Sequence, residues 1–250
     1  MELAAYREMA QAQKHHWWFV VRREILSIRL SQLNLPASAD ILEIGAGTGG
    51  NLEMLNEFGQ VTAVEQSKEA RSIAEELTGF SVIEGSLPDA VTLPDHSYDL
   101  ICLFDVLEHI DADLEALARV RELLKPDGCL VLTVPAYQWL FGRHDEVLHH
   151  KRRYTMNGLI TKLTAAGFVI EENAFFNWLL FPIVVLTRLL EMLVRPKHPV
   201  GHESPVLFVN RVLAGIFRFE KWLSRWASPP FGTSICVTAS VAALPPEEVS

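Results

Sequence analysis

The sequence predicts an α/β fold built on a doubly wound sheet, and two observations carry that prediction. From residue 41 to about 137, short apolar runs alternate with stretches whose apolar residues recur at helical spacing. The runs themselves show no polar alternation, which is how strands buried on both faces of a parallel sheet read. Strand, helix and strand in succession give right-handed crossovers with helices on both sides.

In chain order the strand-like runs are ILEIG (41–45), QVTAVE (60–65), FSVIEG (80–85), YDLICLF (98–104) and CLVLTVPA (129–136). GNLEMLNEF, EARSIAEEL and DADLEALARVRELL lie between them and carry the helical period. TMNGLITKLTAA (155–166) reads as a further helix closed by Gly167, FVIEENAFF (168–176) as a sixth strand and TSICVTASVA (233–242) as a seventh. More than fifty residues separate the last two strands, which no simple sheet requires.

The 250 residues suffice for one domain with elaborations and a sizeable core. A net charge of −9 argues against nucleic-acid binding by the chain as a whole. That charge is uneven: residues 173–230 hold seven Lys/Arg against three Asp/Glu, whereas the first 172 hold fifteen against twenty-six. Cys102, Cys129 and Cys236 have neither metal-ligand nor disulfide spacing, so a reducing, cytoplasmic compartment is expected. The opening MELAAYREMAQAQKHH has no apolar segment of the kind a secretory signal uses.

ILEIGAGTGG is a strand running through a glycine turn into a helix. Glycines allow a sharp turn and close approach to a ligand, and the helix start offers free N–H donors. Gly45, Gly47 and Gly50 also satisfy a dinucleotide-binding pattern, and Glu65 falls twenty residues after Gly45, so the glycines alone do not choose between cofactors.

Taken together, LEIGAGTG, VTAVEQS, LPDHSYDLI, DVLEHI and LLKPDGCLVLTVP resemble, in order and spacing, class I S-adenosylmethionine-dependent methyltransferases over residues 38–137. The resemblance implies a Rossmann-like seven-stranded sheet with its last strand antiparallel, and S-adenosylmethionine as cofactor with S-adenosylhomocysteine as product. It puts Glu43 beneath the glycine turn, Gly45, Ala46 and Gly47 against the methionine part of the cofactor, and Glu65, with Gln66 beside it, on the ribose hydroxyls. Ser86, where the family often has Asp, and Leu87 would face the adenine. Phe104 and Asp105 would line the methionine end; capping of the helix that begins near Asp111 is the alternative for Asp105. His109, in LEHI, would shape the pocket or act as a base.

Methyl transfer asks a protein to bind, align and dehydrate the reactants, with a base where the acceptor is a hydroxyl. GRHDEVLHHKRRYT (142–155) follows the fifth strand, at the end of the sheet where such folds place their chemistry. Its His144 and His149 are candidate bases, and Arg143, Arg152, Arg153 and Tyr154 are candidate contacts for an anionic acceptor. Two other readings stay open: a structural loop, or a metal site of His144, Asp145 and the paired histidines. No metal is expected. HDEVLHHKRRYT also resembles a subset of bacterial methyltransferases similar to enzymes of glycan and lipid-linked saccharide pathways; the expected transfer is to an oxygen, before a nitrogen or carbon, of a small-molecule acceptor that is amphipathic, a saccharide or lipid-linked.

Residues 173–187 are fifteen consecutive uncharged residues, fewer than the roughly twenty of a spanning helix and interrupted by Asn177 and Pro182. Further on, Arg211, Arg218 and Arg225 stand seven apart, with Lys221 nearby, forming one cationic stripe on an otherwise apolar helix. Three readings fit residues 174–227: a peripheral membrane contact at the inner face, packing on the domain or in an oligomer, or a tunnel for an apolar substrate.

HHWWFVVRR (15–23) reads as helix upstream of the first strand, with His15, Trp18, Phe19 and Arg22 on one face and Trp17, Val20, Val21 and Glu24 opposite. Trp18 and Arg22 are candidates for the sulfonium and carboxylate of the cofactor, in which case Arg22→Ala would leave stability nearly unchanged; an ordinary core contact is the other reading. The expected organisation is a helical lid (1–35), the cofactor-binding core (36–176), an apolar and basic helical insertion (177–230), and the last strand with its tail (231–250). A non-catalytic S-adenosylmethionine-binding subunit and an NAD-dependent oxidoreductase stay open as other functions.

Overall fold

The structure, a computed structural model, describes residues 3–89, 93–194, 206–224, 226 and 229–242. Two helices lead the chain, α1 (Leu3–His15) and α2 (Trp17–Ser31). His16 separates them: its backbone is extended and its ring nitrogen accepts a hydrogen bond from the Trp18 N–H, which caps α2. HHWWFVVRR therefore spans a break between helices, not one continuous helix.

The sheet and its helices follow as β1 (Ala39–Ile44), α3 (Leu52–Asn56), β2 (Gly59–Glu65), α4 (Lys68–Thr78), β3 (Val82–Glu84), β4 (Tyr98–Phe104), α5 (Asp113–Leu123) and β5 (Leu124–Pro135). A short α6 (Arg143–Val147), α7 (Met156–Ala165), β6 (Phe168–Phe176), α8 (Phe181–Val194), α9 (Leu207–Leu223) and β7 (Ser234–Val241) complete it. The strand order is β3-β2-β1-β4-β5-β7-β6, with β7 antiparallel to both of its neighbours. This is the predicted seven-stranded Rossmann-like sheet. Its order reverses between β1 and β4, which opens a crevice at the carboxyl ends of those strands.

Both faces of the sheet are covered, which explains why the strands lack polar alternation. Leu42, Ile44, Ile101 and Leu103 pack against α5 and α7 through Leu117, Val120 and Leu159. The residues between them, Ile41, Leu100 and Cys102, face the second layer with Val21, Leu26 and Leu30 of α2 and Phe217 of α9.

The insertion is thus partly core. Phe217 is fully buried, and Trp18 stacks on both Phe217 and Phe176, with ring centroids 5.5 and 5.7 Å away. Asn210 of α9 accepts from the Trp17 N–H (2.8 Å) and donates to the His15 carbonyl (2.8 Å), so it joins the two leading helices at their break. Arg218 and Lys221 both bond Glu24 of α2. Two cations of the predicted stripe therefore pair with α2, Lys221 partly buried and Arg218 still exposed; Arg211 is exposed, and Arg225 lies outside the described residues. The opposite face of α9 carries exposed Phe208, Val212, Phe219 and Trp222, and α8 exposes Ile183, Leu186, Leu189 and Leu190. Among the described residues no helix is long and apolar enough to cross a membrane.

Candidate functional site

The glycine turn begins where β1 ends. Gly45 has φ +79°, and a Cβ there would lie 2.5 Å from a Val106 methyl, so no other residue fits without rearrangement. The N–H groups of Gly45 and Ala46 both donate to the Val64 carbonyl (2.8 and 3.0 Å), which ties the turn to β2. Gly47 has φ +55°, and a Cβ there would meet nothing within 4 Å, so the turn presents bare backbone toward open space.

Glu65 ends β2 beside that space. One carboxylate oxygen accepts from the Gly47 N–H (2.9 Å) and the other from the Ser67 N–H (2.8 Å). Each oxygen retains lone-pair capacity, so two neighbouring hydroxyls can still donate to it. Arg71 donates to the carbonyls of Glu65 and Gln66 and holds the turn, while the Gln66 side chain is exposed. Ser86 is half-buried and Leu87 is buried after β3.

Glu43 lies beneath the turn, fully buried. Asn51 donates to one of its oxygens (2.7 Å), and the other has no hydrogen-bond partner. Burial pushes its carboxyl up to about 7, against the opposing pull of the Asn51 bond. Over the turn lies α1: the Thr48 hydroxyl donates to Gln13 (2.8 Å), whose amide also lies against Gly50. Neither Asn51 nor Gln13 is singled out by the sequence, because an isolated amide carries no pattern of its own.

At the end of β4, Asp105 has φ +59° and pairs with Arg22 (2.7 Å). Thr133 of β5 completes a triangle, accepting from Arg22 and donating to Asp105 at 3.0 Å each. Asp105 therefore does not cap α5, whose start has no side-chain cap. Arg22 is buried, with its guanidinium 5.5 Å from the centre of the Phe104 ring, so its replacement carries a stability cost that the sequence reading left out. Trp18 points into the aromatic stack with Phe176 and Phe217, the core contact that the sequence left as its second reading.

One turn beyond Asp105, the loop 142–155 folds back onto residues 107–113. Asp145 is fully buried and accepts from the Gly142 N–H (2.9 Å), His150 Nδ1 (2.8 Å) and Arg153 Nε (2.8 Å); these cations and donors hold its carboxyl well below the usual range, against the effect of burial. Arg152 bonds Asp113 (3.0 Å), and so does the buried Tyr154 hydroxyl (3.0 Å), which burial and the Asp113 charge raise far above its usual range. The guanidinium groups of Arg152 and Arg153 and the Tyr154 phenol thus fasten the loop to the domain. His144 is half-buried, Arg143 and His149 are exposed, and His149 has φ +59°. His109 is brought against His150, with ring centroids 4.8 Å apart, and its Nδ1 lies 3.4 Å from the His149 carbonyl. Burial, then the neighbouring His150, lower the His109 imidazole to about 4.

Glu108 was not singled out from the sequence, although an acid inside VLEHI, flanked by apolar residues, is a usable signal. It is fully buried, and neither carboxylate oxygen has a hydrogen-bond partner. Burial, then the charge of Asp105, raise its carboxyl well above the ordinary value.

An apolar groove of about 490 Å³ runs along α8, lined by Phe181, Pro182, Val185, Leu186, Leu189 and Phe231. Tyr137, just past β5, and Trp139 both pack on Phe181 and connect the groove to the carboxyl end of the sheet.

A family described as a methyltransferase domain matches residues 17–173. A Mycolicibacterium smegmatis protein named as a probable S-adenosylmethionine-dependent methyltransferase is 24% identical over 177 residues, covering 69% of this chain and 67% of its own. The ubiquinone biosynthesis O-methyltransferase of Nitrosospira multiformis is 27% identical over 142 residues, covering 51% of this chain and 58% of its own. Among solved structures, an S-adenosylmethionine-dependent methyltransferase from Mesorhizobium loti superposes with a TM-score of 0.56 at 17% identity, covering 87% of this chain and 97% of that one, a likeness of fold.

Proposed function

The chain belongs to the methyltransferase domain family and is an S-adenosylmethionine-dependent enzyme, and from that premise we propose that it methylates an oxygen on an amphipathic small-molecule acceptor. The observation that carries the cofactor half is Glu65 beside the bare backbone of Gly47: a two-oxygen acceptor next to open space suits a ribose diol. The orphaned oxygen of Glu43 below the turn is a second sign that this region is incomplete without a ligand.

In this reading Gly45, Ala46 and Gly47 let the methionine portion approach the backbone, and Glu65 grips the ribose. Ser86 and Leu87 lie on the adenine side. Phe104 and the Arg22–Asp105 pair wall the methionine end, Arg22 acting through Asp105 and not by direct reach. The cofactor, when bound, supplies a methyl group already activated by sulfonium charge. The protein's part is alignment and exclusion of water. Residues 1–35 serve as the lid, with Gln13 bridging α1 to the glycine turn.

The acceptor is proposed to lie between the loop 142–155 and the groove along α8. His144 and His149 are the candidate bases there; His109, at about 4, is a weak proton acceptor at neutral pH. The apolar groove supports an acceptor with a hydrocarbon portion, and O-methyltransferases among the relatives support transfer to oxygen. The exposed apolar faces of α8 and α9 support a peripheral contact with a lipid surface. The test is a product search: purified protein, cofactor labelled in its methyl group, and lipid and glycan extracts, followed by mass spectrometry. A labelled product in the lipid fraction, with the label on oxygen, is expected. Label only on water-soluble amines would overturn the acceptor assignment while leaving the family intact.

A further inference from the structure

We infer that Glu108, His109 and His150 form a binding site for a first-row divalent cation such as Zn²⁺, Mn²⁺ or Co²⁺. One potential ligand atom from each of the three lies within 4.8 Å of the others, and His150 Nε2 is 3.9 Å from a Glu108 oxygen. Bonds of about 2.0–2.2 Å to a tetrahedral ion set its ligands roughly 3–4 Å apart, so the cluster needs a side-chain closure of about 1 Å.

The surroundings favour ligation over an internal hydrogen-bond network. Glu108 is fully buried, yet both of its oxygens lack partners. A buried carboxylate in that state is costly unless something positive joins it. Both histidines are oriented from behind. His150 Nδ1 lies 2.8 Å from Asp145, a carboxylate that is itself fully buried and also paired with Arg153. His109 Nδ1 lies 3.4 Å from the His149 carbonyl. A carboxylate and a carbonyl only accept, so each Nδ1 carries the proton and each Nε2 is left with its lone pair. This is the outer arrangement that metal-binding imidazoles use.

The ligand set selects the class of ion. Two imidazoles and one carboxylate suit borderline first-row metals, whereas Ca²⁺ demands six to eight oxygens. Three protein ligands leave a tetrahedral ion one open position. Glu108 and His109 follow β4 and His150 belongs to the loop 142–155, so the ion would also fasten that loop to the sheet. The site differs from the sequence's own metal alternative: Asp145 stands behind it as an orienting group.

The test uses full-length, tag-free, metal-stripped protein titrated with Co²⁺, followed by visible absorption and then displacement by Zn²⁺, with circular dichroism as the check on folding. One Co²⁺ per chain, with the intense bands of a low-coordinate complex and loss of those bands on adding Zn²⁺, is expected. Glu108→Gln and His150→Ala should each weaken Co²⁺ binding by at least about tenfold. Absence of saturable Co²⁺ binding to the wild type would overturn the inference. So would affinities unchanged in both folded variants. The wild-type spectrum decides by itself where a variant fails to fold, and S-adenosylmethionine binding measured on the same sample keeps this result separate from the methyltransferase reading.

Discussion

Glu43 lies under the glycine turn with one oxygen bonded to Asn51 and the other bare, and its buried carboxyl titrates at about 7 against an ordinary 4.5. The folded state therefore binds a proton that the unfolded chain has released between those values, so stability contributed by the protonated form is lost as pH rises from 4.5 to 7. Glu43→Gln removes this dependence: across that window wild type should lose ~3 kcal/mol relative to the variant, read from urea unfolding of cofactor-free protein at several pH values. Parallel pH profiles for the two proteins would show that the carboxyl is not buried as described. Arg22 makes the opposite case, a buried cation with its counter-charge. Its side chain is 6% exposed, while that of Asp105 is 31% exposed, so part of the pair's energy is screened. Arg22→Met keeps the apolar stem and removes the charge; it should cost on the order of 2–3 kcal/mol, below the full value for a wholly buried pair. A change under about 0.5 kcal/mol would mean that the guanidinium is solvated.

Helix α9 divides its surface between two tasks. Ala214, Phe217 and Glu220 form the buried face, and Glu220 accepts from the N–H groups of Asn177 and of Leu179 (2.8 Å), fixing the chain where it leaves β6. Phe208, Val212, Phe219 and Trp222 recur at helical spacing on the other face and are exposed, Phe208 at 77% and Trp222 at 52%. The periodicity of this segment was legible in the sequence, but its orientation was not. A helix with two apolar stripes and a row of cations does not reveal which stripe meets the domain; Glu24, which pairs with Arg218 and Lys221, lies 194 and 197 residues away in sequence. The exposed stripe should bind lipid. Full-length protein is expected to float with anionic vesicles at low salt, and Phe208→Ser combined with Trp222→Ser should cut the floated fraction severalfold. Wild-type protein that stays at the bottom of the gradient would assign that face to another contact.

At the scale of the whole molecule, the sheet was readable because its central strands β1, β4 and β5 are covered on both faces, leaving apolar runs broken only by helical periods; the edge strand β3 leaves Ile83 exposed. The glycine turn was legible for a related reason: Gly45 and Gly47 take left-handed backbone that the local chain path requires, whereas the role proposed for Glu65 comes from the family resemblance. What escaped was whatever depends on distant partners. Arg22 meets Thr133 across 111 residues, and Arg152 meets Asp113 across 39, so neither partner could be read from the local sequence. Glu108 escaped because nothing in VLEHI says that both oxygens of the acid are left without partners. The central claim is that the space beside Gly47 and Glu65 takes S-adenosylmethionine, and calorimetry tests it most directly. The folded wild type should bind one S-adenosylmethionine per chain and no NAD, and Glu65→Ala should weaken that binding by roughly tenfold to a hundredfold, the loss of hydrogen bonds to a charged acceptor. Binding of NAD without S-adenosylmethionine, or an affinity unchanged in Glu65→Ala, would contradict it.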